Sequence, residues 1–272
     1  MLMENYHLTY PSGSRVPIVV SIPHCGTAFP EEVKESFIPE LIASPDDTDW
    51  YVDELYSFAP SLGITVISAA WSRWVIDLNR HPGSKPLYSD GRIITDLCPV
   101  TTFLGQPIYR DHRVTVSNEE VGRRKESYFW PYHKKLAEIL LELKSEFGKV
   151  LLWDCHSIRQ NVPTIRIGKF PDLILGSADE TSARPKIIQQ ALSYLSKANY
   201  SIQHNDPFKG GYITRHYGVP QQEQHALQLE MSKINYMDDD ENRYHPQRAK
   251  KMAELLYNTL SGISEMLVST KD

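Results

Sequence analysis

Three short apolar runs constrain the fold of this chain more than any other feature. Val16–Ile22, Lys149–Trp153 and Ala226–Met231 have the length of buried strands, and each leads into or carries side chains able to bind metals or move protons. Between them lie stretches with apolar residues three and four apart. One spans Asp49 to Ala59 (Val52, Leu55, Tyr56, Ala59), and another follows Pro131 (Leu136, Ile139, Leu140, Leu143, Phe147) up to Gly148. A partly helical stretch covers Ala178–Ala198, with Pro185 near its first turn, and a closing helix covers Pro246–Val268. Ile64–Ser68 and Val75–Leu78 add two further strand candidates. Strands alternating with helices predict an α/β fold with a mixed, mostly parallel central sheet and helices on both faces. No linker-like composition divides the chain, so residues 1–272 are expected to form a single domain. The segment Tyr88–Glu120 is irregular and long for a passive loop, as loops that build sites often are.

Charge and cysteine content narrow the function classes. With 29 Lys and Arg against 34 Asp and Glu, the chain has no basic footprint for nucleic acid. Its N-terminus lacks the charged and apolar regions of a signal peptide, and no apolar run approaches a bilayer span. Cys25, Cys98 and Cys155 are too few and too irregularly spaced for a disulfide framework or a zinc finger, which fits a reducing compartment. The expectation is a cytoplasmic protein, a monomer or small homo-oligomer, with no nucleic-acid or membrane partner.

The candidate chemistry gathers at strand ends. Val16–Ile22 runs into Pro23-His24-Cys25-Gly26-Thr27, Lys149–Trp153 into Asp154-Cys155-His156-Ser157, and Ala226–Met231 carries Glu230. Ligands of open α/β sheets bind beyond the carboxyl ends of the strands. Parallel neighbouring strands would bring His24 and His156 to one crevice, with a carboxylate offered by Asp46, Asp47 or Asp49 in the segment PDDTDW. Two imidazoles and a carboxylate are a common catalytic zinc set with a position left for water, and Glu230 suits the proton transfer such a site needs. The same residues also admit structural roles. Each histidine serves equally as a hydrogen-bonded core residue, the aspartates as helix caps, and Glu230 as the partner of a buried arginine.

Two basic clusters accompany them. Ser72-Arg73 through Asp77-Leu78-Asn79-Arg80 brackets an apolar run with arginines, whose planar guanidinium grips carboxylates; it reads equally as a strand with solvated flanks. Asn205 through Gly218 places Lys209 and Arg215 beside Gly210-Gly211, a pair that more often marks only a turn.

Taken together, these segments resemble the N-formylglutamate amidohydrolase family. The resemblance rests on Ser21–Thr27, Asp47-Thr48-Asp49-Trp50, Ser72–Arg80, Cys98–Tyr109, Pro131-Tyr132-His133, Asp154–Ile158, Pro171–Gly176, Lys209–Gly218 and His225–Glu230, in the family's order and across nearly the whole chain. It implies a fold related to zinc carboxypeptidases and aspartoacylases, one Zn2+ or another divalent metal per chain, and hydrolysis of N-formyl-L-glutamate to formate and L-glutamate, a step of histidine breakdown. The resemblance assigns His24 and His156 as metal ligands, Glu230 as the acid–base on the attacking water, Arg73 to the oxyanion, and Asn79 and Arg80 to the substrate carboxylate. Arg215 and Lys209 are candidates for the second carboxylate. The third ligand departs from the carboxypeptidase pattern, because Thr27 stands where a glutamate is expected; Asp49 is preferred over Asp47. Asn205-Asp206-Pro207-Phe208 likewise replaces the expected Asn-Gly-Arg-Phe, which bears on substrate choice. Two alternatives to this function are a metal-dependent deacylase of another N-acyl amino acid and a non-catalytic binder of acidic metabolites.

Overall fold

Strand β4 (Val150–Ile158) lies near the middle of the molecule, and its alternation explains much of the architecture. Leu151, Trp153 and Cys155 face one apolar cluster, while Val150 and Leu152 face another. The strand therefore continues through Asp154-Cys155-His156-Ser157 instead of ending at Trp153, and all nine of its residues are buried. The computed structural model describes residues 4–83, 96–113 and 115–269. Residues 88–95 and 114 of the irregular Tyr88–Glu120 segment lie outside the described residues.

Around β4 are β1 (Tyr6–Thr9), β2 (Ile18–Ile22), β3 (Thr65–Ala69), β5 (Leu173–Gly176), β6 (Ile202–His204) and β7 (Gln224–Ser232). They form a seven-stranded sheet in the order β1-β3-β2-β4-β7-β5-β6. The pairs β2/β3, β2/β4, β4/β7 and β5/β6 are parallel, and β1/β3 and β5/β7 antiparallel. This is the expected mixed, mostly parallel sheet. The register sets His156 directly opposite Glu230.

The helices are α1 (Glu31–Lys34), α2 (Pro39–Ile42), α3 (Val52–Leu55), α4 (Asn118–Arg124), α5 (Trp130–Phe147), α6 (Pro185–Leu195), α7 (Tyr212–Tyr217) and α8 (Pro246–Ser269), with a π-helical turn at Lys125–Phe129. α3, α6 and α8 cover the face carrying Leu151, Trp153, Leu227 and Leu229. α5 and α7 cover the face carrying Val19, Leu152 and Ala226. Helices thus lie on both faces, because both faces of the central strands are apolar. Among the described residues no helix is long and apolar enough to cross a membrane.

Two expected elements take other forms. The stretch Asp49–Ala59 contains only the four-residue α3, preceded by Tyr51 in the left-handed region (φ 62°) and followed by a 3-10 turn at Ala59–Leu62. Val75–Leu78 is buried but turned, with Val75 N–H bonded to the Ser72 carbonyl and Arg80 N–H to that of Asp77. Burial without a sheet partner makes an apolar turn there, and the turn brings Arg73, Asp77, Asn79 and Arg80 toward one place.

Candidate metal centre

On the α5/α7 face of the sheet, apolar residues give way to polar ones toward the carboxyl ends of the strands. Leu152 is followed at two-residue steps by Asp154 and His156 on β4, and Ala226 by Gln228 and Glu230 on β7. His24 follows the end of β2, the parallel neighbour of β4. Asp49 is held beside it by a bond from its backbone N–H to the His24 carbonyl at 3.0 Å.

His24, Asp49 and His156 converge: one ligand atom from each lies within 4.8 Å of the others, and all three residues are buried. His156 Nδ1 is 3.1 Å from His24 Nδ1 and 3.1 Å from Asp49 Oδ2, and His24 Nδ1 is 3.6 Å from the same oxygen. The far nitrogens are already committed. His24 Nε2 lies 2.7 Å from Asp77 Oδ1, and His156 Nε2 lies 3.0 Å from Asp154 Oδ2 and 2.8 Å from Asn79 Nδ2. Carboxylates behind ligating histidines fix the tautomer and raise ring basicity. Two Nδ1 atoms and a carboxylate oxygen face one small space, where a shared positive charge, a proton or a metal ion, satisfies all three. Asp49 Oδ1, also buried, has no hydrogen-bond partner. The donor set fits a divalent ion that takes nitrogen and oxygen ligands, zinc among them.

Electrostatics agree with the geometry. Burial alone would raise the Asp49 pKa, but His156 and His24 hold it below the usual carboxylate range. Burial likewise disfavours a charged His156, yet Asp154 and Asp49 draw its pKa well above the usual histidine range. A positive charge, proton or metal ion, is thus strongly favoured between these groups.

Asp49 and Asp47 differ in their partners. Asp47 accepts from Trp74 Nε1 at 2.9 Å and from the Phe103 N–H at 3.1 Å, so its carboxylate is occupied away from the histidines. Neither residue caps α3, whose N-cap is Tyr51 without a side-chain bond.

Around the trio, Arg73 is 5 % exposed and donates to Asp77 Oδ2 at 2.6 Å, with its guanidinium 4.7 Å above the Phe103 ring. Glu230 sits across the strand pair from His156; burial, against the pull of His156, pushes its carboxyl up to about 8. Arg80 lies 3.9 Å from Asp77 Oδ2 with 18 % of its side chain exposed. The Asn79 amide is turned inward: Oδ1 accepts from the Ile213 N–H at 2.7 Å, and Nδ2 donates to Asp154 Oδ2 at 3.2 Å. Gly211 makes this possible, since a Cβ there would fall 2.3 Å from Asn79 Nδ2. Lys209 and Arg215 belong to the same loop and helix, but their side chains lie outside the buried cluster. Lys209 Nζ donates to Asp179 at 3.0 Å, and the exposed Arg215 donates from Nε to the Gly210 carbonyl at 2.9 Å. Cys25 and Cys155 pack against the core, and burial pushes both thiols far above the usual range, the environment of packing residues.

Sequence reasoning gave no role to Asp77, Asp154 or Gln228, which orient the site's side chains. A signal for Asp154 was present, because a residue two before His156 on a strand shares its face.

A mixed α/β sheet with a buried His/Asp/His cluster at its carboxyl edge and a carboxyl group beside it defines a class, the α/β proteins with a candidate cation site at the strand ends. The chain belongs to the N-formylglutamate amidohydrolase family, whose model matches residues 16–237. It is 44% identical over 226 residues to an N-formylglutamate deformylase of Pseudomonas aeruginosa, covering 83% of this chain and 84% of the relative. It is 41% identical over 228 residues to one of Pseudomonas putida, covering 84% of each. The crystal structure of an N-formylglutamate amidohydrolase from Ralstonia eutropha superposes with a TM-score of 0.81 at 28% identity, covering 97% of this chain and 98% of that one.

Proposed function

We propose that the protein is a zinc-dependent deformylase that hydrolyses N-formyl-L-glutamate to formate and L-glutamate, acting in histidine breakdown. The observation that carries this reading is the convergence of His24, Asp49 and His156, with Glu230 opposite His156 in strand register, in a chain of this family. His24, Asp49 and His156 would hold the ion, which when bound lowers the pKa of a water toward about 7 and polarises a carbonyl.

The remaining steps belong to the chain's own residues. Glu230 takes a proton from the attacking water and returns it to the departing amine nitrogen. Burial raises its proton affinity, and the positive charge of a bound ion would oppose that rise. Arg73, fixed by Asp77 and stacked over Phe103, presents its guanidinium to the developing oxyanion in a site with little water. Arg80 receives the α-carboxylate from a turn that Asn79 anchors, and Arg215 and Lys209 are the candidates for the side-chain carboxylate.

The test is a side-by-side assay of N-formyl-L-glutamate, N-acetyl-L-glutamate and N-formyl derivatives of uncharged amino acids. The formyl acidic substrate is expected to give kcat/KM at least about 100-fold above the others, because uncharged analogues forgo charge-assisted contacts with the basic side chains and a longer acyl group must fit beside buried residues. Preference for a longer acyl group or an uncharged amino acid would contradict the assignment.

A further inference from the structure

Lys233 is the most anomalous charged residue in the structure. It follows β7 directly, three residues after Glu230, and is only 2 % exposed. Lysine is almost never buried to this extent without an ionic partner, since an ammonium loses several kcal/mol of hydration there. Among the described residues, however, no carboxylate oxygen lies within the 4.0 Å of an ion pair. Its hydrogen bond runs from Nζ to the backbone carbonyl of Asp46 at 3.0 Å.

That carbonyl belongs to the segment that delivers Asp49. Three acids stand within four residues there, and each carboxylate is drawn in its own direction. Asp46 is paired with Arg159 (Nε to Oδ1 2.7 Å), Asp47 accepts from Trp74 and Phe103, and Asp49 faces the histidines. The backbone is gripped by two buried cations, Lys233 at the Asp46 carbonyl and Arg73 at the Asp47 carbonyl, 3.4 Å away. Lys233 therefore joins the strand that carries Glu230 to the loop that carries Asp49. It also supplies a positive charge behind a segment whose acids repel one another.

A direct role for Lys233 in binding substrate meets a steric limit. The cavity that Lys233 shares with Ser157, Asp47, Phe103 and Arg159 leaves the centre of a water molecule only about 10 Å³ to occupy. That is room for roughly one water and not for a carboxylate.

We propose that Lys233 is a positioning residue for the metal centre: it clamps the Asp46–Asp49 segment so that Asp49 meets His24 and His156 in ligating geometry. The inference rests on reading the trio as a metal site. The experiment is zinc titration of metal-free wild-type, Lys233→Met and Lys233→Gln proteins against a chromophoric chelator, with thermal melting of each metal-free protein alongside. Wild type is expected to bind one zinc, and either folded variant to bind it at least about 10-fold more weakly, as losses behind the ligands typically cause. The glutamine variant keeps a polar side chain in the site and carries the test if the methionine variant does not fold.

A merely structural lysine would lower the melting temperature and leave the zinc affinity of the folded fraction unchanged, and that result would overturn the proposal. So would unchanged zinc affinity with a raised KM at saturating zinc, which would place Lys233 on the substrate. Wild-type protein that takes up no zinc would instead refute the metal reading itself, a separate outcome.

Discussion

The surroundings of a glutamate set its proton affinity, and Glu230 is buried beside the His24, Asp49 and His156 trio. Desolvation pushes its carboxyl up to about 8, with His156 opposing and Asp49 reinforcing the shift. Replacement by Gln keeps the shape and removes the proton transfer. Glu230→Gln is expected to lower kcat about 10²- to 10⁴-fold while metal content, read by elemental analysis, stays at one ion per chain. Unchanged turnover would remove Glu230 from the chemistry. Arg80 sits at the partly exposed edge of the same cluster, where the proposed function places the substrate carboxylate. Arg80→Ala should lower kcat/KM about 10- to 100-fold, mainly through KM, because a charge-assisted contact to carboxylate is lost in ground state and transition state alike. A KM equal to that of wild type would contradict a carboxylate clamp at this position.

At the scale of elements, the site depends on how α5 and α7 hold the turn after Asp77. His133 on α5 donates from Nε2 to the Leu78 carbonyl at 2.9 Å, and its Nδ1 accepts from Tyr217 on α7 at 3.1 Å. Burial lowers its pKa to about 3, well under the roughly 6.5 of an unfolded chain. Between those values the unfolded chain binds a proton that the folded one does not, so stability falls as pH drops below about 6.5. His133 alone should then remove on the order of 2 kcal/mol between pH 7 and pH 5. Urea unfolding at both pH values checks this: His133→Gln should be less stable at pH 7 but show a flatter dependence on pH. Equal slopes for variant and wild type would show that His133 is not the titrating group.

The same elements show what could be read from the sequence. β2, β4 and β7 were legible because fully buried parallel strands are continuously apolar, and α5 and α8 because long amphipathic helices repeat many times. β1, β5 and β6 were not expected. They are strands of three or four residues, too short for a pattern to emerge, and β1 and β6 are partly exposed edges. Val75–Leu78 looked like a strand because composition reports burial, not hydrogen-bond partners. Of the site, His24, His156 and Glu230 stood out as polar residues on apolar runs. Asp77, Asp154 and Lys233 did not, because their importance lies in partners distant in sequence: Asp77 meets His24, and Lys233 meets Asp46.

At the scale of the whole molecule, one sheet brings together residues from β2, β4 and β7 and from the Asp49 segment, four parts of the chain spread over some two hundred residues. A cation bound there ties those parts together in the native state only. Its affinity therefore adds to stability, by about 2.7 kcal/mol at a free concentration one hundred times Kd. The account stands on that cation and on the amide it helps to break. The most direct test strips the protein with a chelator, verifies metal removal by elemental analysis, and follows formate release from N-formyl-L-glutamate before and after zinc is returned. The account predicts loss of turnover on stripping, recovery on addition of about one equivalent of zinc, and no recovery in His156→Ala. Full turnover by verified metal-free protein would contradict it.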